Sequence, residues 1–156
     1  MFPHIYKKQF IQLKTFLEKE HNVKIDVRPF VEDAWYPNLN LIRINQNLKY
    51  RERLFTLLHE AGHMIIENTI RPQGILCFNK NVPHNIRSKK SFVHVLNEEI
   101  LAWNYGKDLI KSMNFYIEEN KFEEYMSDCI MSYVRKGLNS VYGKEINANV
   151  IWTKYV

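Results

Sequence analysis

Residues 53–65 read RLFTLLHEAGHMI, and this stretch decides the fold of the chain. It contains the pattern H-E-x-x-H as His59, Glu60 and His63, set among aliphatic residues that recur at helical spacing. We therefore predict a helix over about Tyr50 to Glu67. Both imidazoles lie on one face of that helix, because residues i and i+4 are one turn apart.

The H-E-x-x-H pattern is typical of zinc hydrolases. Two imidazoles one turn apart can bind one zinc ion at about 2.0–2.1 Å, and the glutamate between them can reach a water molecule on that ion. Zinc lowers the pKa of such a water to about 7, so that a carboxylate can take its proton. We interpret His59 and His63 as zinc ligands and Glu60 as the general base. Gly62 costs about 1 kcal/mol in a helix relative to alanine, which indicates a close backbone neighbour such as a strand edge.

A catalytic zinc ion needs a third protein ligand and one open coordination position. Glu99 is preferred, because helical spacing places it on one face with Ala102 and Gly106, where another helix can approach closely. Glu98 points about 100° away around the same helix and stays an alternative. The downstream candidates together are His84, His94, Glu98 and Glu99.

Two stretches of the chain resemble the ImmA/IrrE family of metallopeptidases. The first is NLIRINQNLKYRERLFTLLHEAGHMIIE at residues 40–67, and the second is E-x-x-A at Glu99 to Ala102. That family typically shows a short strand, then a helix with H-E-x-x-H, then a helix whose E-x-x-A glutamate completes the zinc site. The resemblance covers about residues 23–110.

The resemblance implies a role for each motif residue. It makes His59, His63 and Glu99 the zinc ligands and Glu60 the base. It also implies a protein substrate of the DNA-binding repressor type, because known family members cleave such repressors. Trp103 follows Ala102 in this chain, where the family usually has a small polar residue.

The remaining periodic segments predict an α+β fold. We expect a helix over about Tyr6 to Glu20 and two strands, within residues 23–30 and over Leu39 to Ile44, that form a small antiparallel sheet. Two further helices are predicted, over about Leu96 to Met113 and over Glu118 to Lys136, with Gly137 as the stop. A long irregular stretch spans Arg71 to Ser91, and the tail from Val141 is expected to pack on the core.

These elements together predict one minimal zincin-like domain of the gluzincin type over residues 1–156. In that fold the small sheet packs on the H-E-x-x-H helix, with further helices behind it. The aromatic residues of the last helix, Tyr133 among them, are interpreted as core. For the donor that stabilises a tetrahedral intermediate, nothing in the spacing selects among His84, His94, Tyr105 and Tyr125.

Composition narrows the setting of the protein. The 156 residues carry 22 basic and 17 acidic side chains, a net charge of +5, and only two cysteines. No apolar run approaches the roughly 20 residues of a membrane span, and the start of the chain lacks the apolar core of a signal peptide. We therefore expect a cytoplasmic protein without membrane contact or a disulfide framework. No nucleic-acid-binding signature occurs, so a nucleic-acid partner is not expected.

The function predicted is zinc-dependent hydrolysis of peptide bonds in a protein or peptide substrate. The alternative is a non-catalytic, zinc-containing protein that binds a protein or nucleic acid. Its contact surface would be residues 68–97, which contain no acid and five basic residues, Arg71, Lys80, Arg87, Lys89 and Lys90. The intact Glu60 argues against a vestigial site, because a pure binder has no need of a base.

Overall fold

Four helices and one three-stranded sheet form the described part of the chain, residues 3–74 and 88–142, in a computed structural model. The predicted α+β class is confirmed. The helices are α1 (Pro3–Glu20), α2 (Tyr50–Ile65), α3 (Lys89–Ser112) and α4 (Glu119–Tyr142). The strands are β1 (Lys24–Arg28), β2 (Ala34–Tyr36) and β3 (Leu41–Asn45).

The sheet is mixed, with strand order β1-β3-β2. β1 runs parallel to β3, with Ile25 opposite Ile42, whereas β2 runs antiparallel to β3, with Trp35 opposite Ile42. The predicted antiparallel pairing of the two longer strands is therefore wrong. Alternating side chains reveal which residues face the core but not the direction of a strand. The three-residue β2, which reverses the chain between the two parallel strands, is too short to show alternation.

Helix α2 is the centre of the core. Its Leu54, Phe55, Leu57 and Leu58 are fully buried, although they point to different sides of the helix. α1, the sheet and α3 all pack against it. Burial of each such side chain contributes about 1.5–3 kcal/mol, so the motif lies on a deeply buried and well-anchored helix.

Helices α2 and α3 approach each other through small residues. A Cβ atom added at Gly62 would overlap the carbonyl oxygen of Ala102, and one added at Gly106 would lie 3.1 Å from the carbonyl oxygen of Leu58. The close neighbour expected at Gly62 therefore exists. That neighbour is the backbone of α3. The strand edge that the sequence had suggested as the neighbour is not what lies there.

Two helix ends differ from the prediction. α3 begins at Lys89 and not near Leu96, because Ser88 caps it: the Ser91 N–H donates to Ser88 Oγ at 3.1 Å and the Ser88 N–H to Ser91 Oγ at 2.9 Å. α4 runs through the predicted stop at Gly137 to Tyr142. There the missing Cβ leaves room for the ring of Phe92 from α3.

The segment after α2 is only partly described. A π-helical turn (Ile66–Ile70) and a 3-10 turn (Arg71–Gln73) follow Ile65. Residues 75–87, which include His84, lie outside the described residues, and so does the tail from residue 143. Among the described helices, none combines the length and the apolar character that crossing a membrane requires.

Candidate metal centre

Three side chains from two helices converge on one point beside α2. His59 Nε2 lies 3.2 Å from His63 Nε2, and Glu99 Oε2 lies 3.1 Å from the first nitrogen and 3.5 Å from the second. His59 and Glu99 are buried, and His63 is nearly so. The H-E-x-x-H spacing aligns the imidazoles on α2, while the contact between Gly62 and Ala102 lets α3 bring Glu99 close.

The spacing of these three atoms fits a bound metal ion. Ligands at about 2.0–2.1 Å from a tetrahedral centre lie about 3.3–3.4 Å from each other, close to the separations observed. Glu99 Oε2 is buried and has no hydrogen-bond donor in suitable geometry, although buried polar atoms are nearly always satisfied. A cation would satisfy all three atoms at once, so the His-His-Glu group can hold a metal ion.

Trp103 forms one wall of the centre. Its indole stacks on the imidazole of His59, with ring centroids 4.4 Å apart and an angle of 23° between the planes. Phe122 and Tyr125 from α4 contact the indole edge-on. Trp103 is fully buried, so this packing holds the His59 ring in one orientation. The residue that departs from the ImmA/IrrE pattern thus supports the imidazole of His59 from behind.

Glu98 lies beside the centre and is held by an ion pair. Its carboxylate accepts a hydrogen bond from Arg71 at 2.9 Å, and the same guanidinium donates to Glu67 at 2.6 Å. Glu98 Oε1 is 3.9 Å from His63 Nδ1, which is too long for a direct hydrogen bond. The structure thus places Glu99 among the imidazole nitrogens and Glu98 behind one of them.

Glu60 faces a cleft of about 270 Å³ that opens next to the centre. The carboxylate is buried, which raises its pKa above the ordinary value, while the two imidazoles and the backbone N–H of Trp35 favour the ionised form. Burial and these partners oppose each other, as is common for catalytic carboxylates. The residues lining the cleft are Asp33, Ala34, Trp35, Pro37, Glu60, His63, Glu67, Glu98, Glu99 and Tyr133.

The cleft is strongly acidic, and this charge acts on the ligands. Burial opposes the charge on His63, but Glu99, Glu60 and Glu98 raise its pKa to about 9. Burial likewise opposes ionisation of Glu99, but the imidazoles lower the pKa of Glu99 to about 2. The centre therefore stabilises positive charge, whether a proton or a metal ion occupies it.

Most of the candidate hydrogen-bond donors lie away from the cleft. His94, Tyr105 and Tyr125 are not among the described residues that line it, and His84 lies outside the described residues. The Tyr125 hydroxyl is 2.9 Å from Thr56 Oγ1. Tyr133, which the helical pattern had predicted to belong to the core, lines the cleft instead. Nothing in the helical period separates these two tyrosines, because both belong to the inner side of α4.

Comparison with known proteins adds no family assignment to this geometry. Searches of protein families, curated proteins and solved structures find no match to the chain. The ImmA/IrrE resemblance therefore stays a prediction from the motif residues. The function has to be inferred from the chemistry of the site itself.

Proposed function

We propose that this protein is a zinc-dependent metallopeptidase with a zincin-like site of the gluzincin type. One observation carries the proposal: two imidazole nitrogens and one carboxylate oxygen converge beside an open cleft, with Glu60 on the same helix as the imidazoles. A donor set of two nitrogens and one carboxylate suits zinc, whereas calcium and magnesium prefer oxygen alone. Three protein ligands leave the fourth position open for chemistry.

The proposed mechanism assigns the proton transfers to Glu60. When bound, zinc supplies the Lewis acid that makes a water nucleophilic at neutral pH and polarises the scissile carbonyl. Glu60 accepts a proton from the water molecule as the water oxygen bonds to the carbonyl carbon. The same carboxyl then gives that proton to the amine nitrogen as the C–N bond breaks. Burial, which raises the pKa of Glu60, makes its carboxyl a better proton acceptor in the first step.

The edge of the sheet offers a place for the substrate. β2 pairs with β3 on one side only within the described sheet, and Ala34, Trp35 and Pro37 next to its free edge line the cleft. An extended peptide can add to such an edge through backbone hydrogen bonds. By the ImmA/IrrE resemblance, the substrate protein is a DNA-binding repressor.

The alternative, a zinc-containing protein that binds without cleaving, has less support. Arg71 belongs to the basic stretch proposed as its contact surface. Its guanidinium is instead largely buried and paired with Glu67 and Glu98 inside the fold. A non-catalytic binding protein also has no use for Glu60, whose carboxylate costs free energy to bury.

Peptide profiling with a base variant tests the proposed function. Zinc-loaded wild type, Glu60→Gln and Glu67→Gln are each incubated with a peptide library from a proteome digest, and new N-termini are counted by mass spectrometry. We expect cleavage by wild type and by Glu67→Gln, which changes a carboxylate of the same cleft. Glu60→Gln should keep zinc and its melting temperature but lose about 10²–10⁴-fold in rate, because an amide cannot accept the proton.

Equal rates for wild type and Glu60→Gln would refute the assignment of the base. No cleavage by zinc-loaded wild type would favour the binding alternative.

A further inference from the structure

Tyr133 is the one aromatic hydroxyl among the described residues that line the cleft. It lies on α4, so that its phenol enters the cleft together with His63, Glu60 and Glu99 from α2 and α3. The ammonium of Lys136 lies 5.4 Å from the centre of its ring, a cation–π contact that favours one orientation of the side chain. Phenylalanine would fill the same space without the hydroxyl, which lies close enough to Glu99 to interact with its carboxylate.

We propose that Tyr133 is a catalytic residue whose hydroxyl donates a hydrogen bond to the scissile carbonyl oxygen as that oxygen becomes an oxyanion. The inference rests on the proposed hydrolysis and assigns it a second protein group. The water oxygen bonds to the carbonyl carbon, the C–N bond breaks, and Glu60 carries the proton to the nitrogen. Tyr133 keeps its proton throughout and stabilises only the charge that develops on the oxygen.

The surroundings of Tyr133 suit a neutral donor. Burial raises the pKa of its phenol, and the charges of Glu99 and Glu60 raise it further. A phenol has an ordinary pKa of about 10, so this hydroxyl is a neutral donor near neutral pH. Its hydrogen turns about the C–O bond, so the same group can face Glu99 or a substrate oxygen that enters the cleft. In a buried site such a donor is worth more than it would be in water.

Tyr125 provides a matched control on the same helix. It lies two turns before Tyr133 and is likewise partly buried, and its hydroxyl contacts Thr56 rather than the cleft. Tyr125→Phe keeps the ring that packs on Trp103 and removes only that hydroxyl. Tyr125→Phe and Tyr133→Phe each remove one hydroxyl from α4. A loss that comes only from helix packing should therefore appear in both variants to a similar degree.

The test measures turnover, metal affinity and binding of a transition-state mimic for wild type and the two variants. The substrate is a peptide that wild type cleaves. The mimic is the same peptide, or tetra-alanine if none is cleaved, with a phosphinate in place of the scissile amide. We expect Tyr133→Phe to lower kcat by about 10²–10³-fold with KM and zinc affinity nearly unchanged. Its affinity for the phosphinate should fall by a similar factor, while Tyr125→Phe stays within about threefold of wild type in each.

Each outcome separates this inference from the proposed function. Unchanged kcat and phosphinate affinity in Tyr133→Phe would overturn the role of Tyr133 even if wild type cleaves peptides. A fall in zinc affinity that matches the loss of kcat would make Tyr133 a positioning residue for Glu99 and overturn the donor role. Phosphinate binding that depends on Tyr133 without turnover would show that the hydroxyl contacts a bound oxyanion mimic, but it would refute the hydrolysis and with it the catalytic role. If wild type neither cleaves peptides nor binds the phosphinate, both proposals fail.

Discussion

Glu98 and Glu99 are neighbours in the sequence, but the fold gives their carboxylates different partners. Glu99 Oε2 lies 3.1 Å from His59 Nε2, whereas Glu98 is bound to Arg71 at 2.9 Å and stands behind His63. A rotation of about 100° per residue along α3 accounts for the difference. Only Glu99 belongs to the group that could hold a metal ion, whereas Glu98 contacts Arg71 and lies behind His63.

Substitution of each glutamate should therefore affect metal binding unequally. Glu99→Ala should weaken zinc affinity by more than about 100-fold, since loss of a ligand exceeds the 10–100-fold typical of an outer partner. Glu98→Ala should cost at most about tenfold, because its 3.9 Å distance from His63 is longer than a hydrogen bond. Titration of the two variants with a competing chelator measures both values. A larger loss in Glu98→Ala would show that α3 is rotated relative to this structure.

The pairing of α2 with α3 depends on residues without large side chains. Gly62 touches the carbonyl of Ala102, and Gly106 lies against the carbonyl of Leu58, so the backbones of two helices meet with almost nothing between them. The metal centre needs this approach, because Glu99 on α3 has to reach the imidazoles on α2. The glycine in the motif therefore has a structural reason that its neighbours in sequence do not reveal.

Alanine substitutions should show how tight this helix contact is. In an unpacked helix, Gly→Ala stabilises by about 1 kcal/mol. Gly62→Ala should instead destabilise by about 1–3 kcal/mol and weaken metal binding, because its Cβ overlaps the Ala102 carbonyl. Gly106→Ala, whose added Cβ would lie in tight but tolerable contact 3.1 Å from the Leu58 carbonyl oxygen, should change the free energy of unfolding less than Gly62→Ala. Urea unfolding of both variants tests this, and a stabilised Gly62→Ala would refute the close approach of the two helices.

The stability of the whole molecule is coupled to the charge of the metal centre. In the folded protein the pKa of His63 is about 9, against an ordinary 6.5. The protonated imidazole therefore contributes fully to the free energy of unfolding below about pH 6.5, and this contribution is lost as pH rises to 9. Glu60, whose pKa is also raised, acts in the same direction. The folded pKa of Glu99 is about 2 against 4.5, so its contribution is complete above pH 4.5 and is lost as pH falls towards 2.

Metal-free protein should therefore be most stable between about pH 4.5 and 6.5. We expect its melting temperature to fall by roughly 5–10 °C between pH 6 and pH 9. Zinc should remove or reverse this fall, because it binds the same lone pairs as the proton and binds better as pH rises. Thermal scans with chelator and with zinc provide the measurement, and His63→Ala serves as the control that should lose most of the dependence, since Glu60 remains. Identical melting temperatures for metal-free protein at pH 6 and pH 9 would contradict the charge coupling.

The local features of this protein were predictable from sequence because they depend on spacing along one chain. The H-E-x-x-H spacing places two imidazoles on one face of a helix wherever that helix lies. Apolar periodicity identified α1, α2, β1 and β3 in outline. Because Glu99 and Ala102 share one face of their helix, the sequence also indicated which helix would pack against α2 at the site. These inferences need only the geometry of a helix or strand and the preference of apolar residues for the interior.

The features that tertiary structure decided involve residues far apart in the sequence. Whether β3 runs parallel or antiparallel to a neighbouring strand depends on which strand pairs with it. The backbone that lies against Gly62 likewise depends on which helix packs against α2. Tyr133 and Tyr125 share the inner side of α4, and only the position of α4 against α2 and α3 puts one in the cleft and the other against Thr56. Arg71 follows the π-helical turn after α2 and pairs with Glu98, 27 residues further along the chain, only where that segment and α3 lie side by side. Periodicity carries no information about such contacts, because they arise when separate elements pack and bury their surfaces together.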